Sequence, residues 1–326
     1  MTFSAPPLPD YARDLGHGVY AIDTGFQRPN FDAAYLVIDA GRAAFIDTGP
    51  RFAVPRLLGT LAALGLDAAA VDWVIPTHVH LDHAGGVGTL MRELPHARAL
   101  VHPRGARHMI DPSALYEGAL AVYGAEEMAR SYGTLDSIPA ERVLNSHDGQ
   151  HVPLGERELL IHDAPGHARH HHVIWDPVSR GWFTGDTFGI SYREMDTDGR
   201  PWIFPTTTPV QFEPEVLRAS VERMLSFAPD CVYLTHYSRL GDVATLGAAQ
   251  LRLLDEVVAM GLRLATVDNR HAALIDGLRQ IYLADLRRQG STLSDAEFQR
   301  LMDLDLELNA QGMGVWLDRM QRQARA

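Results

Sequence analysis

Residues 77–86 read Thr-His-Val-His-Leu-Asp-His-Ala-Gly-Gly, so that His78, His80, Asp82 and His83 put three imidazoles and a carboxylate within six positions. With 16 histidines in 326 residues, this H-x-H-x-D-H pattern arises by chance in only about a few sequences per thousand. A surface loop that happens to be rich in histidine is the bland alternative. Imidazole and carboxylate together suit zinc, iron or manganese, and no thiolate lies nearby to narrow the choice. Three more candidates follow apolar runs: His167 after residues 158–163, Asp186 after 181–184 and His236 after 230–235. A single His or Asp at such a place is more often a turn residue. It is their common placement, at the ends of apolar runs, that marks them as parts of one site.

The elements that must carry these side chains are readable. Residues 71–76 (Val-Asp-Trp-Val-Ile-Pro) form a short apolar run of buried-strand type, and Gly85-Gly86 lead into a helical pattern through Leu90, Met91 and Leu94. The cluster therefore sits on a strand-to-helix loop, where His78 and His80 can face one centre and Asp82 and His83 a second. Residues 17–49 read as three strands with Asp39-Ala-Gly-Arg42 as a hairpin turn, 53–64 as a helix, and 98–102 as a strand. Residues 113–131 have helical spacing of Leu115, Ala119 and Val122 with Ser113 as N-cap, within a helical insertion at about 104–140. Beyond 240 the strand signals fade, and helices are expected at 243–260, 271–288, 294–309 and 312–323.

The order His-x-His-x-Asp-His, Gly-His, Gly-Asp, Thr-His resembles the metallo-β-lactamase-fold hydrolase superfamily over residues about 17 to 240. The resemblance implies an α/β (α+β) fold, a four-layer αββα sandwich. It also implies two divalent metals, zinc in the first place and iron or manganese as alternatives. By it His78, His80 and His167 hold the first metal, Asp82, His83 and His236 the second, and Asp186 bridges them. Asp47, in Phe-Ile-Asp-Thr-Gly, matches an early strand-end aspartate that orients a ligand. The expected organisation is a catalytic domain over 1–240 and a helical region over 241–326 that shapes the pocket or a homodimer contact. That layout is similar to the glyoxalase II branch, although no basic cluster in the tail suggests a glutathione-like anion.

Composition sets further bounds. At 46% hydrophobic and 21% charged the chain can bury one large core and an accessory region. No run of 18 apolar residues predicts a membrane span, and Met-Thr-Phe-Ser-Ala-Pro-Pro-Leu-Pro-Asp lacks the features of a secretory leader, so a cytoplasmic protein is expected. The net charge of −12, with 29 basic residues thinly spread, disfavours nucleic acid and leaves a small-molecule substrate. Cys231 lies in an apolar run and reads as a small core residue.

Residues 188–212 place Phe188, Tyr192, Trp202, Phe204 and Phe212 among prolines and Thr206-Thr207-Thr208. Such a loop is expected either to wall an acyl or aromatic substrate, with Tyr192 or Tyr237 donating to the reacting oxygen, or to pack onto the core. His170, His171 and His172 follow His167 closely but are not needed as ligands; His170 or His171 suits a supporting donor. Two metals can share a water, lower its pKa and polarise a carbonyl. The expected reaction is attack of that bridging hydroxide on an ester or thioester, Asp82 orienting it. A lactonase or phosphodiesterase, a mononuclear iron dioxygenase using His78, His167 and Asp186, and a metal-bearing regulatory protein with little turnover are the alternatives.

Overall fold

The computed structural model describes residues 7–207 and 210–325. Thr208 and Pro209 of the aromatic loop, and residues 1–6 of the leader reading, lie outside them. The chain divides into two compact units, the first holding residues through Asp163, 170–185 and 230–239, the second 164–169, 186–229 and 240 onward. The sequence places a boundary at 240; here the segments around His167 and after Gly185 group with the helical tail as well.

Unit one is built on two sheets. In the first, β1 (Ala12–Asp14), β2 (Val19–Asp23), β3 (Ala33–Asp39), β4 (Arg42–Ile46), β5 (Val71–Ile75), β6 (Arg98–Val101) and β7 (Val143–Asn145) lie side by side in chain order. Pairing is antiparallel through β4 and parallel beyond it. The expected hairpin forms between β3 and β4, where Ala40 and Gly41 take the two positive φ values (45° and 75°) that a tight two-residue turn requires. The second sheet runs β8 (Gln150–Leu154), β9 (Arg157–Asp163), β10 (His172–Asp176), β11 (Gly181–Gly185), β12 (Cys231–Leu234) and β13 (Ser238–Leu240). It is antiparallel as far as β11, which pairs in parallel with β12.

Alternation along β3 sorts side chains into two cores. Ala34 and Leu36 join Leu57 and Leu61 of α1 (Val54–Ala63) and Leu90 and Met91 of α3 (Val87–Glu93), under the helices. Tyr35 and Val37 join Ile46, Ile75, Ile161, Ile174, Phe183 and Tyr233 between the sheets. There Phe183 stacks on Tyr233 at 4.6 Å, and Tyr35 meets both rings edge-on. Cys231 is buried in this core, as its sequence context predicts.

Parallel neighbours need crossovers, and these carry the helices of unit one. α1 joins β4 to β5; α2 (Leu81–Ala84) and α3 join β5 to β6. The insertion joins β6 to β7 through α4 (Pro103–Ile110), α5 (Ser113–Glu127) and one π turn, Met128–Tyr132. Ser113 is the first helical residue of α5 rather than its cap; Asp111 accepts from its N–H (3.1 Å) and hydroxyl (2.7 Å) and closes the turn from outside.

Unit two holds α6 (Pro214–Ser226), α7 (Val243–Arg263), α8 (Arg270–Arg288) and α9 (Asp295–Arg325). α9 is continuous where two helices were expected. Gly312 and Gly314 weaken it intrinsically, but Met313, Trp316 and Leu317 are all buried, and Gly261 of α7 leaves the room that Met313 fills. Tertiary packing overrides propensity. The aromatic loop is part of this core: Trp202 donates to Asp285 (3.0 Å), Tyr282 to the Pro205 carbonyl (3.0 Å), and Phe204 lies 5.0 Å from Trp202 and 5.2 Å from Tyr282. Of the two expected uses of that loop, the structure shows packing.

Gly88 offers a test of how α3 is held. Alanine is the better helix former, yet a Cβ at Gly88 would lie 1.9 Å from the Asp136 carbonyl oxygen. Gly88→Ala is expected to destabilise the protein by about 1–3 kcal/mol, as overpacking does. Thermal unfolding measures it, and a raised Tm would contradict this packing.

Candidate metal centre

β4 ends at Ile46, and the next residue, Asp47, takes a positive φ of 54° that turns its buried carboxylate inward. Oδ1 accepts from the Thr77 N–H (2.7 Å), just past β5; Oδ2 accepts from His83 Nδ1 (2.8 Å) and from the Thr235 hydroxyl (2.8 Å), just past β12. Thr48 grips the same histidine from behind, its N–H and hydroxyl donating to the His83 carbonyl at 2.8 and 3.0 Å.

Because Nδ1 of His83 carries the proton given to Asp47, its Nε2 presents a lone pair. His236 is set in the same way, Nδ1 donating to the Phe31 carbonyl at 2.9 Å. Both Nε2 atoms converge on Asp82 Oδ2, at 3.7 Å from His83 and 3.4 Å from His236. Two ligand atoms each about 2.0–2.2 Å from one tetrahedral ion would stand at roughly such separations. Asp82, His83 and His236 thus form a group able to hold a metal. Next to it, His78 Nε2 and His80 Nδ1 face one another at 2.8 Å, and the His78 ring lies 4.0 Å from that of His83. His78, His83 and His236 are buried, whereas Asp82 and His80 are half-buried, so this part of the site is reached past those two.

The loop carrying His78 and His80 is backed by the histidines after His167. His171 stacks on His78 at 4.7 Å, and His170 Nδ1 accepts from the Val79 N–H at 3.4 Å. His172 pairs with Ser146 (2.8 Å) and donates from Nε2 to the Pro76 carbonyl (2.9 Å). Burial lowers His170 to about 3 and His172 to about 4, which keeps both neutral at physiological pH. Gly185 makes the close packing feasible: a Cβ there would stand 2.5 Å from His171 Nε2 and 2.6 Å from the Thr77 hydroxyl.

In unit two, His167 and Asp186 are both buried, with His167 Nε2 3.5 Å from Asp186 Oδ2. The loop bearing His167 is fixed by donation from the Glu213 N–H to the Gly166 carbonyl (2.8 Å) and from Ser220 to the Pro165 carbonyl (2.7 Å). Gly166, at φ 127°, lies against Leu217, whose backbone a Cβ would meet at 2.3 Å. Tyr192 is placed differently from the donor role expected of it. Its ring is buried in unit two and its hydroxyl lies 3.1 Å from both oxygens of Asp305. Tyr237 is buried in the core between the sheets.

Sequence reading passed over Thr77, Thr235 and Asp32. Asp32 opens β3's approach beside Phe31, is fully buried, and accepts from Thr24 at 2.9 Å. Burial pushes its carboxyl up to about 8. The available signal was positional: Asp32 stands immediately before the apolar run of β3, as Asp47 stands immediately after that of β4.

This chain belongs to the metallo-beta-lactamase superfamily, whose profile matches residues 28–236. It is 25% identical over 224 residues to a metallo-beta-lactamase fold-containing protein, ST1585, of Sulfurisphaera tokodaii, covering 67% of this chain and 78% of that one. The crystal structure of ST1585 from Sulfolobus tokodaii superposes with a TM-score of 0.62 at 20% identity, over 91% of this chain and 98% of the other. An acyl-coenzyme A thioesterase of Bos taurus, MBLAC2, is 28% identical over 184 residues, 53% of this chain and 64% of its own. An N-acyl homoserine lactonase of Azorhizobium caulinodans, AttM, is 30% identical over 112 residues, 30% of this chain and 41% of its own. The fold is mixed α/β with two sheets and a helical C-terminal region. No helix among the described residues is long and apolar enough to cross a membrane.

Two substitutions separate the roles of buried groups. Asp47→Ala removes the acceptor that sets His83 and is expected to weaken retention of a divalent metal about 10–100-fold; competition with a chelator reads this, and an unchanged affinity would contradict it. Tyr192→Phe removes a bond to a carboxyl group worth about 1.5–3 kcal/mol. Its effect is expected in Tm, and a loss of turnover at constant stability would restore the donor role.

Proposed function

We propose that this protein is a metal-dependent acyl hydrolase that cleaves an ester or thioester of a small, partly apolar substrate. The observation that carries this reading is the pair of histidines, His83 and His236, whose Nδ1 protons are committed to Asp47 and Phe31 so that both Nε2 lone pairs meet Asp82. Such fixed tautomers are what a resident cation needs and what a structural histidine cluster does not require. His78, His80 and His167 would hold one metal, Asp82, His83 and His236 another, and Asp186 both. When bound, the metals supply Lewis acidity toward the carbonyl oxygen and a water of near-neutral pKa.

The chain's own groups would do the rest. Asp82, half-buried beside the fully buried ligands, is placed to orient the attacking water and to take up its proton at a carboxylate oxygen. Neutral His170 and His172 add no positive charge beside the site, which would otherwise repel a cation. Water adds to the acyl carbon, the bond to the alkoxide or thiolate breaks, and the leaving group gains the proton, giving an acid and an alcohol or thiol. Names of the relatives agree on acyl transfer to water and differ in the bond, one a thioesterase and one a lactonase. The lactonase reading is the second choice because that likeness covers 30% of the chain.

Elemental analysis joined to a panel of thioesters, esters, lactones and phosphodiesters tests the proposal. The expected result is two metals per chain, zinc or another divalent ion, with thioester or ester turnover. Asp186→Ala should lower kcat/KM by at least about a hundredfold, beyond the usual loss from an outer-shell partner. One iron per chain with oxygen uptake, or metal binding without hydrolysis of any member, would overturn it.

A further inference from the structure

Unit two brings together charges that lie far apart in the sequence. Arg200 of the aromatic loop, Arg252 of α7 and Arg288 of α8 all line one cavity of about 300 Å³. Asp242 and Asp285 are the carboxylates of its lining, and every lining residue belongs to unit two. Pro201, Trp202, Ile203, Leu246 and Ala249 supply an apolar wall. The volume stands at the lower end of the ~300–1,000 Å³ range of small-molecule sites. None of the candidate metal ligands is among its described lining residues.

Asp285 is buried, and its carboxylate organises the cavity's charges. Oδ1 accepts from Arg252 Nη2 and from Arg288 Nη1, both at 2.6 Å, while Oδ2 accepts from Trp202 Nε1 at 3.0 Å. One negative charge thus holds two guanidiniums side by side, although a single one would neutralise it. Arg252 has a second partner in Glu256 at 2.9 Å, an exposed pair one turn along α7 of the kind that contributes little. Arg288 directs one nitrogen to Asp285, and its side chain is 59% exposed. Arg200 donates to the Gln289 carbonyl at 2.9 Å and stands 3.9 Å from Asp198. Asp242 caps the start of α7, about 15 Å along the helix from Arg252, which is beyond the ~8 Å over which exposed charges interact at physiological salt. The surplus charge at the Arg252–Arg288 end is therefore positive, and it sits beside an apolar wall.

The same cavity touches the loop that starts at Asp186. The Trp202 carbonyl accepts from the Ser191 hydroxyl at 2.6 Å, and Phe204 exchanges backbone bonds with Ile190 at 3.0 and 2.9 Å. On the other side Gln289 Nε2 donates to the Arg200 and Pro201 carbonyls at 2.9 and 3.2 Å. We propose that this cavity is an effector site for a small organic oxyanion, clamped between Arg252 and Arg288 with its apolar body on Trp202, Leu246 and Ala249, and that its occupation fixes the loop from Asp186. A carboxylate or a phosphate meets this clamp, because paired guanidinium N–H groups bind either one. The site stands apart from the acyl-hydrolase reading and holds whether or not that reading does.

Calorimetry on the full-length, metal-loaded protein tests it with phenylacetate, phenyl phosphate and the neutral 2-phenylethanol, which share a ring and differ in headgroup. At least one anion is expected to bind about tenfold or more tightly than the alcohol, the worth of a hydrogen bond to a charged group. The tighter of the two anions then tells a carboxylate effector from a phosphate one. Arg288→Gln, at an exposed position, should weaken that anion about ten- to a hundredfold, and Ala249→Phe, which fills the cavity, should do so with the arginines intact. Hydrogen exchange at the Ile190 and Phe204 amides should slow when the anion is bound. Equal affinity for alcohol and anions, or undiminished binding in Arg288→Gln, would overturn the clamp. Binding that survives both substitutions and is lost on chelation would place the anion at the metal centre and overturn it as well. Unchanged exchange at both amides with the anion bound would overturn the effector role.

Discussion

The carboxylate of Asp47 is the constraint on which unit one's chemistry depends. A buried carboxylate is costly unless its oxygens are met by donors, and here they are met from the chain just past β5, from the α2 entry and from just past β12. β5 belongs to one sheet and β12 to the other. One side chain therefore ties the facing sheets together at the end where His83 and His236 emerge, and it can do so only because the backbone at Asp47 accepts a positive φ. The strain at that residue is small beside what would follow from leaving Thr77, His83 and Thr235 without their acceptor.

This arrangement explains why the histidines are so deeply buried. An imidazole in the interior normally acts as a satisfied polar group with both nitrogens engaged in hydrogen bonds. His83 and His236 each direct Nδ1 to a fixed acceptor and Nε2 to the same carboxylate oxygen, so the ring planes are set by the protein and the convergence point is set by the rings. His172 follows the other pattern, with Ser146 and Pro76 engaging its two nitrogens. The contrast between His172 and His236, both in buried strand-end positions, is the structural difference between a packing histidine and one shaped for a cation.

Much of this was legible in the sequence, and the failures have physical causes. H-x-H-x-D-H, the strand before it and the Gly pair after it located the histidine-bearing loop, because the period-2 and period-3.6 patterns on either side are strong. The hairpin at Ala40-Gly41 was equally clear from its turn residues. Thr77 and Thr235 were invisible because their importance lies in a shared acceptor, Asp47, distant in the chain. Tyr192 misled because an aromatic loop after Asp186 looks the same whether its rings face solvent or a helical tail; only the structure shows Asp305 waiting for the hydroxyl. The break expected near Gly312 failed for the reason that propensity usually fails, namely that Met313 and Trp316 had a core to enter.

The two kinds of element in unit one carry different degrees of constraint. Asp47, Thr77 and His83 are buried and hydrogen-bonded to one another, so substitutions around them act on the site and on stability together. α5 is the reverse: it is apolar, unburied and broken at Gly124, with little packing to hold it in one place. Elements so unequal in burial answer unequally to substitution: a polar replacement on exposed α5 forfeits little, whereas one beside Asp47 leaves a buried donor without its acceptor.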